Sequence, residues 1–499
     1  MKKIDKYRFI PSVTMIILIL TIVSFNLNKV QSAVDKTYYA LSHQCSWLFI
    51  GANIAAFIFS IWVAFGKYKD IKLGGASAKP EYGTFSWISM MFTTSCSARL
   101  IVFGFVETII YASAPPFEIE PFSLKAYEQA MAYTHYHWGI NAWSLYVPAS
   151  IAIGYMLYNR GETTVSMSAA CKSVLKKNNN GVLGCIIDVI GTFGAVVAPV
   201  TSMGLGMPLL TILIQEIWGI GDEYTTVIQA AILIIWIAIF GTSVYLGLGK
   251  GIKNLSNINV VFAFSFMAIV GIFLVGPFEI LKSEVNTLGN YTADFVRMIT
   301  YTDPYGNGDF VGGWTVWYWA WLIVYMPLMG VFNARISKGR TLKQIALGQM
   351  VFCSLGCWVA MMTLGNYSIK LQQNGINIAS ILNNEGQPAA ILAIVKTMPA
   401  PRFIMVSVAV LCFIFMATTV DSSSFVAAET TIKHNSSDEH APRIIRIFWA
   451  GITCIITFIL LQVGGFNAVQ MLALLVGLPL AILMFVVIIS TYKMLKQDY

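Results

Sequence analysis

The chain has 499 residues, 57% of them hydrophobic and only 11% charged, against roughly 25% charged residues in soluble domains. With a mean hydropathy of +0.69, this composition excludes a soluble globular protein and places the chain in a lipid bilayer. The formal net charge of +8 is not a nucleic-acid footprint, because Lys and Arg stand in short clusters between long apolar runs, and no nucleic-acid partner is expected.

Apolar segments near the roughly 20 residues that a spanning helix needs occur at 9–27, 45–66, 85–111, 134–158, 184–217, 224–248, 256–280, 313–334, 342–366, 403–430, 444–463 and 467–492. Several are too long for one straight crossing, so tilts or breaks are expected. If alternate loops are assigned to the cytoplasm from the N-terminus onward, 23 of the 32 basic residues fall on that side and 8 on the other, with Arg99 inside a span. The positive-inside rule then predicts twelve helices with both termini in the cytoplasm, and a multi-pass protein of the cell inner (cytoplasmic) membrane.

The first span follows a basic start but reads as a retained helix. It is long, and Gln31 stands poorly at the −3 position of a Ser32–Ala33 cleavage site. The third span, "FSWISMMFTTSCSARLIVFGFVETII", carries six small or hydroxyl residues from Thr93 to Ala98, then Arg99 and Glu107. Small residues permit close backbone approach and hydroxyls can satisfy a broken helix. Arg99 within a span marks a functional site or a paired structural charge, since a buried guanidinium needs a carboxylate, carbonyls or an anion.

The fourth span holds "YHWGINAWSLY", with Trp138, Trp143 and Tyr146. The fifth carries Asp188 and "TSMGLGMPLL" at 201–210, read as structural: a polar cap or loop pairing, and close packing. Residues 285–302 have helical apolar spacing and are expected along the outer interface. The eighth span, "GGWTVWYWAWLIVYMP" at 312–327, is dense in indole. Helical spacing puts Trp314, Trp321 and Tyr325 on one face, with Tyr318 and Met329 continuing the stripe, while Trp317 and Trp319 read as packing. An interfacial belt suits Trp314 and Trp138. It does not suit Trp321 and Tyr325, which lie well into the span, where a cage of ring faces can hold a cation.

In the tenth span, "MATTVDSSS" offers Thr418, Thr419 and Asp421 as hard oxygen ligands, although mid-helix hydroxyls commonly bond back to their own backbone. The eight cysteines form no C-x-x-C pair and read as reduced, without metal or disulfide roles. His43, His135, His137, His434 and His440 lie at membrane edges or in loops without metal-ligand spacing. None of the segments between spans is large enough for a soluble catalytic domain, so an enzyme is not expected.

Five stretches carry a resemblance: "FSWISMMF" (85–92), "YHWGINAWSLY" (136–146), "GLGKGIKNLSNINV" (247–260), "GGWTVWYWAW" (312–321) and "ARISKGRT" (334–341). They are similar to signature stretches of the betaine/carnitine/choline transporters. That resemblance implies an all-α integral membrane protein of twelve transmembrane helices. Two extra N-terminal helices (1–84) precede leucine-transporter-type inverted five-helix repeats at 85–280 and 313–499, the second with a short tail, and an outer interfacial helix and loop (281–312) lies between them. Breaks are expected at Thr93–Ala98 and at Pro327, next to a central site. The resemblance further implies a homotrimer and an aromatic box made here by Trp138, Trp143, Tyr146, Trp314, Trp321 and Tyr325.

Three departures bear on the substrate. Leu322 stands where the family keeps a second indole, "TTSCSARL" replaces a glycine-rich stretch, and Asn259 stands where sodium-independent carnitine exchangers place an arginine. Leu322, Met329 and Ser97 join the expected substrate contacts. Arg99 beside the box disfavours choline and would clamp the carboxylate of a zwitterion. The expectation is a secondary active transporter of glycine betaine or a carnitine-like molecule, with glycine or a less methylated derivative as the alternative. Thr418 and Thr419 match the hydroxyl pair of sodium-coupled members, and Thr93 and Cys96 are placed with them in a possible sodium site. Arg99 acting instead as a fixed cation would make the protein a sodium-independent exchanger. A transport-like sensor or channel is the competing class, and the absence of long charged tails argues against osmotic gating.

Overall fold

A computed structural model describes residues 4–25, 36–246, 251–433, 436 and 439–499. Residues 26–27 of the first expected span, the cleavage-site residues Gln31–Ala33, positions 247–250 of the 247–260 motif, and His434 lie outside the described residues. Among those described, the secondary structure is helical, with only two isolated bridges, Ile4 to Ile432 and Lys72 to Thr341.

The helices are α1 (Lys6–Phe25), α2 (Ser46–Phe65), α3 (Thr84–Cys96), α4 (Arg99–Ser113), α5 (Leu124–His137), α6 (Ile140–Ser144), α7 (Val147–Tyr158), α8 (Val182–Trp218), α9 (Thr225–Leu246) and α10 (Lys253–Val270). They continue with α11 (Pro277–Thr300), α12 (Trp317–Ile336), the helical run α13 (Leu342–Gln373), α14 (Pro401–Thr430) and α15 (Arg443–Asp498). Ten helical stretches among the described residues are long and apolar enough to cross a bilayer, or eleven when α3 and α4 count as one bent span. The 20-residue α1, over the first expected span, stands outside that count.

Two expectations about breaks come out differently. The break between α3 and α4 is present, with a bend of 59°. Pro327 does not interrupt α12, which runs from Trp317 through it to Ile336. The chain absorbs the irregularity earlier, in a π-helical turn at Val311–Val316, and α8 closes on the proline region instead. A Cβ on Gly194 would meet Leu480 Cδ1 at 3.0 Å, the Val324 carbonyl oxygen at 3.2 Å and Pro327 Cγ at 3.5 Å, so a side chain there would crowd this close approach of α8 to α12.

The fourth span is broken as well, which its apolar pattern did not announce. α5 stops at His137 and α6 ends at Ser144 before α7 starts with Pro148 in its first turn. Gly139 at the first break leaves no room for a side chain, since a Cβ there would lie 2.3 Å from the His135 carbonyl oxygen. The expected interfacial segment is helical but begins earlier than 285, at Pro277. It turns Phe278, Leu281, Val285 and Val296 outward and packs its other face on α5.

α8, 37 residues long, packs on α12, α14 and α15, and α12 packs on α7 and α15. Every residue of α12 is buried. In lipid, where apolar tails compete equally for apolar side chains, close van der Waals fit is the main source of such packing. At the α7–α12 crossing a Cβ on Gly330 would stand 2.7 Å from Ala149 Cβ and 3.3 Å from the Ala149 carbonyl carbon. The end of the bundle carrying the basic loops is tied by backbone bonds: Gly339 N–H to Leu73 O (2.8 Å), Leu73 N–H to Arg340 O (3.0 Å) and Leu342 N–H to Ile71 O (2.9 Å).

Gly330→Val should cost about 1–3 kcal/mol by overpacking this crossing, read as a lower melting temperature of purified protein followed by tryptophan fluorescence. An unchanged melting temperature would mean that the two helices do not meet as closely as Gly330 and Ala149 indicate.

Candidate functional site

The site is built where two interrupted spans, α3–α4 and α5–α7, meet α12. α3 ends at Cys96, Ser97 takes φ +54°, and α4 restarts at Arg99. A helix end leaves carbonyls without partners, and Arg99 turns back to satisfy them. Its Nε donates to Cys96 O at 3.0 Å and its Nη2 donates to Ser95 O. The residue is wholly buried. Cations are favoured at a helix C-terminus by the dipole, and the same carbonyls supply the hydrogen bonds.

The guanidinium carbon lies 4.1 Å from the Trp321 ring centre and 4.3 Å from that of Tyr325. These are two of the six rings expected to form the box for a substrate cation, and here the protein's own cation covers them. The Tyr146 hydroxyl lies beside the guanidinium, while Nη1 makes no hydrogen bond of standard geometry. A buried donor of this kind is costly unless something accepts from it.

The rings are themselves anchored. Trp321 Nε1 donates to Thr201 Oγ1 at 2.5 Å, and the Tyr325 and Ser202 hydroxyls are hydrogen-bonded. Thr201 and Ser202 belong to the α8 segment read as purely structural, and their hydroxyls were the available signal. Trp317 stacks on Trp321 with centroids 4.7 Å apart, as a packing residue, and Trp319 packs against Tyr136 and His137.

Trp138 and Trp143 stand on either side of the break between α5 and α6, 6.1 Å apart, and Trp143 lies 5.9 Å from Tyr146. The break serves them directly, because Trp143 Nε1 donates to the Trp138 carbonyl at 2.9 Å. Phe103 of α4 bridges the two groups, 6.3 Å from Trp138 and 6.0 Å from Trp321.

Trp314 is not brought in with them. It is half-buried in the π-helical turn and packs on Tyr111 and Trp317, at 5.2 and 5.9 Å. Met329 lies at the break: its sulfur accepts from Ser95 Oγ at 3.7 Å and its carbonyl from Ser150 Oγ at 3.5 Å. Leu322 is buried beside Trp321 in the same helix, and Ser97 Oγ is buried without a hydrogen bond.

Glu107, read from the sequence only as an intramembrane charge, organises the other end of the ring cluster. Its Oε2 accepts from Trp138 Nε1 at 2.8 Å and from the Tyr318 hydroxyl at 2.7 Å. One carboxylate thereby ties together α4, the end of α5 and α12.

The residues grouped as a possible sodium site point to different neighbours. Thr93 Oγ1 lies 2.9 Å from Ser256 Oγ, and Cys96 Sγ lies 3.4 Å from Cys357 Sγ. Thr418 and Thr419 both donate to the Phe415 carbonyl, at 2.7 and 3.0 Å. The hydroxyl link between α3 and α14 runs through Thr94 and Ser422, at 3.0 Å. Among the described residues no group of three or more His, Cys, Asp or Glu side chains is arranged to hold a metal ion.

Beyond the site, the basic end of the bundle is closed by buried charge pairs. Arg335 at the end of α12 meets Glu429 at the end of α14 at 2.5 Å, and Arg446 lies 3.6 Å from Asp421. Asp188 pairs with Arg8 at 2.8 Å and accepts from the Ser168 backbone at 2.7 Å, so its partners are an arginine of α1 and a helix start rather than a loop lysine.

Taken together, the site offers a buried arginine whose Nη1 has only the Tyr146 hydroxyl beside it, and a surround of anchored aromatic rings. Comparison with solved structures finds a sodium-coupled sialic acid symporter in a substrate-bound, outward-open state, at 12% identity over 88% of this chain and 85% of that one, with a TM-score of 0.43. The family model of the betaine/carnitine/choline transporters matches residues 8–499, essentially the whole chain. The protein is therefore a transporter rather than an enzyme, and it belongs to the betaine/carnitine/choline transporter family.

Proposed function

We propose that the protein is a secondary active transporter of a small zwitterion bearing a carboxylate, moved by alternating access around the site between α3–α4, α5–α7 and α12. The observation that carries this reading is Arg99: fully buried, held by two helix-end carbonyls, with Nη1 open. A substrate carboxylate would give that donor its acceptor through a charge-assisted bond. Trp138, Trp143 and Tyr146 provide the remaining ring faces for the ammonium end, at cation–π energies of about 0.5–2 kcal/mol.

Glycine betaine and carnitine-like molecules are the first candidates, as the family suggests. One observation favours glycine or a less methylated derivative: the guanidinium already covers Trp321 and Tyr325, so the cage left for a trimethylammonium group is smaller. Choline lacks the carboxylate and would face an uncompensated cation. We propose sodium coupling through the Thr418–Thr419 region, a homotrimeric assembly, and a position in the cytoplasmic membrane with the basic end and both termini inside. In that orientation the Arg335–Glu429 pair closes the inner path.

Proteoliposome uptake of labelled glycine betaine, carnitine, glycine and choline, with and without a sodium gradient, tests the reading; absence of saturable uptake for every solute would sink it. Trp321→Ala should abolish uptake, whereas normal transport would return this ring to packing. Arg99→Ala should lower uptake of the zwitterions at least tenfold, about 1.4 kcal/mol or more. The same variant should spare or improve choline binding, and an equal loss for choline would remove the carboxylate clamp.

A further inference from the structure

We propose that Glu107 is a proton-binding site whose charge sets the strength of the closure at the end of the bundle opposite the basic loops. The inference goes beyond the carboxylate clamp and rests on the transport reading only for its direction.

Glu107 is wholly buried in α4. Among the described residues no charged group pairs with it: Arg99 lies eight residues earlier on the same helix, about 12 Å along its axis, and folds away toward the carbonyls of Ser95 and Cys96. Oε2 holds two donors from two other segments, Trp138 Nε1 and Tyr318 OH, while Oε1 makes no hydrogen bond of standard geometry. An isolated carboxylate in a bilayer is expensive, and neutralisation by a proton is the ordinary relief. Oε1 is the open position for that proton.

A polar path leads away from it through otherwise aromatic packing. The Tyr111 hydroxyl lies beside the carboxyl group and is hydrogen-bonded to His137 Nδ1 at 2.7 Å. His137 Nε2 in turn lies 3.1 Å from Thr315 Oγ1 in the turn that opens α12. Phe310, above Tyr111 and Tyr133 at 5.3 and 4.8 Å, lines a cavity of about 600 Å³ together with Glu118, Arg297 and Asp303. The path thus ends one ring below a charged, roomy vestibule.

The groups that face Glu107 from the elements packed on α4 are few. Tyr111 is on its own helix, His137 and Trp138 come from α5 and its end, and Tyr318 from α12. The α13 face meets α4 at Gly104 and Thr108 through Leu364 and Gly365. Nearby Tyr367, Lys370 and Lys396 are directed to Thr397, the Leu274 carbonyl and Glu216. Cys353 and Cys357 lie with Cys96.

The consequence is mechanical. As a carboxylate, Glu107 makes two charge-assisted hydrogen bonds that clamp Trp138 and Tyr318 to α4, each about twice as strong as a neutral one. A proton arriving from the vestibule by way of His137 and Tyr111 binds Oε1, removes the charge and weakens both bonds, so the closure loosens. Loss of the same proton to the opposite side after the bundle rocks re-forms the clamp. One proton is taken from one face and delivered to the other for each cycle.

The test uses the full-length protein in liposomes with a trapped pH indicator, probed with glycine betaine and glycine. For one proton per solute, an inward gradient of one pH unit should raise steady accumulation up to about tenfold, with internal acidification when solute is added. Glu107→Gln should lose both effects. Accumulation and internal pH that do not respond to the imposed gradient, with counterflow intact, overturn the Glu107 inference alone; absence of counterflow for every solute overturns the transport reading. Infrared difference spectra on acidification, which need no solute, should show a protonated-carboxyl band that Glu107→Gln removes. A difference spectrum in the carboxyl region that Glu107→Gln leaves unchanged overturns the proton site.

Discussion

The structure depends on the burial of one arginine at a broken helix. Arg99 stands at the start of α4 with no bulk water to solvate it, and a bare guanidinium in the bilayer interior is among the most expensive groups a protein can carry. The interruption of the third span answers that cost. Ending α3 at Cys96 frees the Ser95 and Cys96 carbonyls, which then accept from the guanidinium, while Trp321 and Tyr325 cover its plane. Break and charge are therefore mutually supporting: the helix end needs donors, and the cation needs acceptors.

From that point the remaining polar groups fall into order. Thr201 and Ser202 fix the two rings that cover the guanidinium. Ser95 is held by Gln349 at 3.2 Å, which also accepts from Asn333 at 2.9 Å, and Asn333 donates to Ser150 at 3.1 Å. This chain of hydrogen bonds runs from α3 through α13 and α12 to α7 without an exposed member. At one end of the bundle Glu107 joins three segments; at the other the Arg335–Glu429 and Arg8–Asp188 pairs do so. Each closure depends on buried charge, which is strong when satisfied and costly when one partner is lost.

The aromatic stretch at 312–327 shows how far helical spacing carries. In the structure Trp321 and Tyr325 face the guanidinium, while Trp317 and Trp319 pack against neighbouring rings. Trp314, grouped with that pair by helical spacing, lies in a π-helical turn that shifts its angular position and packs on Tyr111 and Trp317. The same limit applies to the fourth span. Apolar composition identifies it as membrane-embedded, but not the stops at His137 and Ser144, where Gly139 lies against the His135 carbonyl and Tyr291 and Pro148 opens the next helix. Pro327 fails in the opposite sense, since a proline expected to break α12 is accommodated where α8 offers glycines to lie against it.

The sequence by itself determined that the chain is a multi-span membrane protein, which residues within its apolar segments are polar, and to which family its motifs belong. Those are properties of composition, length and local pattern, and they need no partner. Only the tertiary structure decided what each intramembrane polar group meets. Arg99 takes the faces of two rings on a helix more than two hundred residues away, Glu107 takes Trp138 and Tyr318 from two other segments, and Thr93 and Cys96 turn to neighbours other than Thr418 and Thr419. In the apolar interior such pairings are set by three-dimensional proximity and by the need to satisfy every buried donor and acceptor. No one-dimensional spacing encodes them.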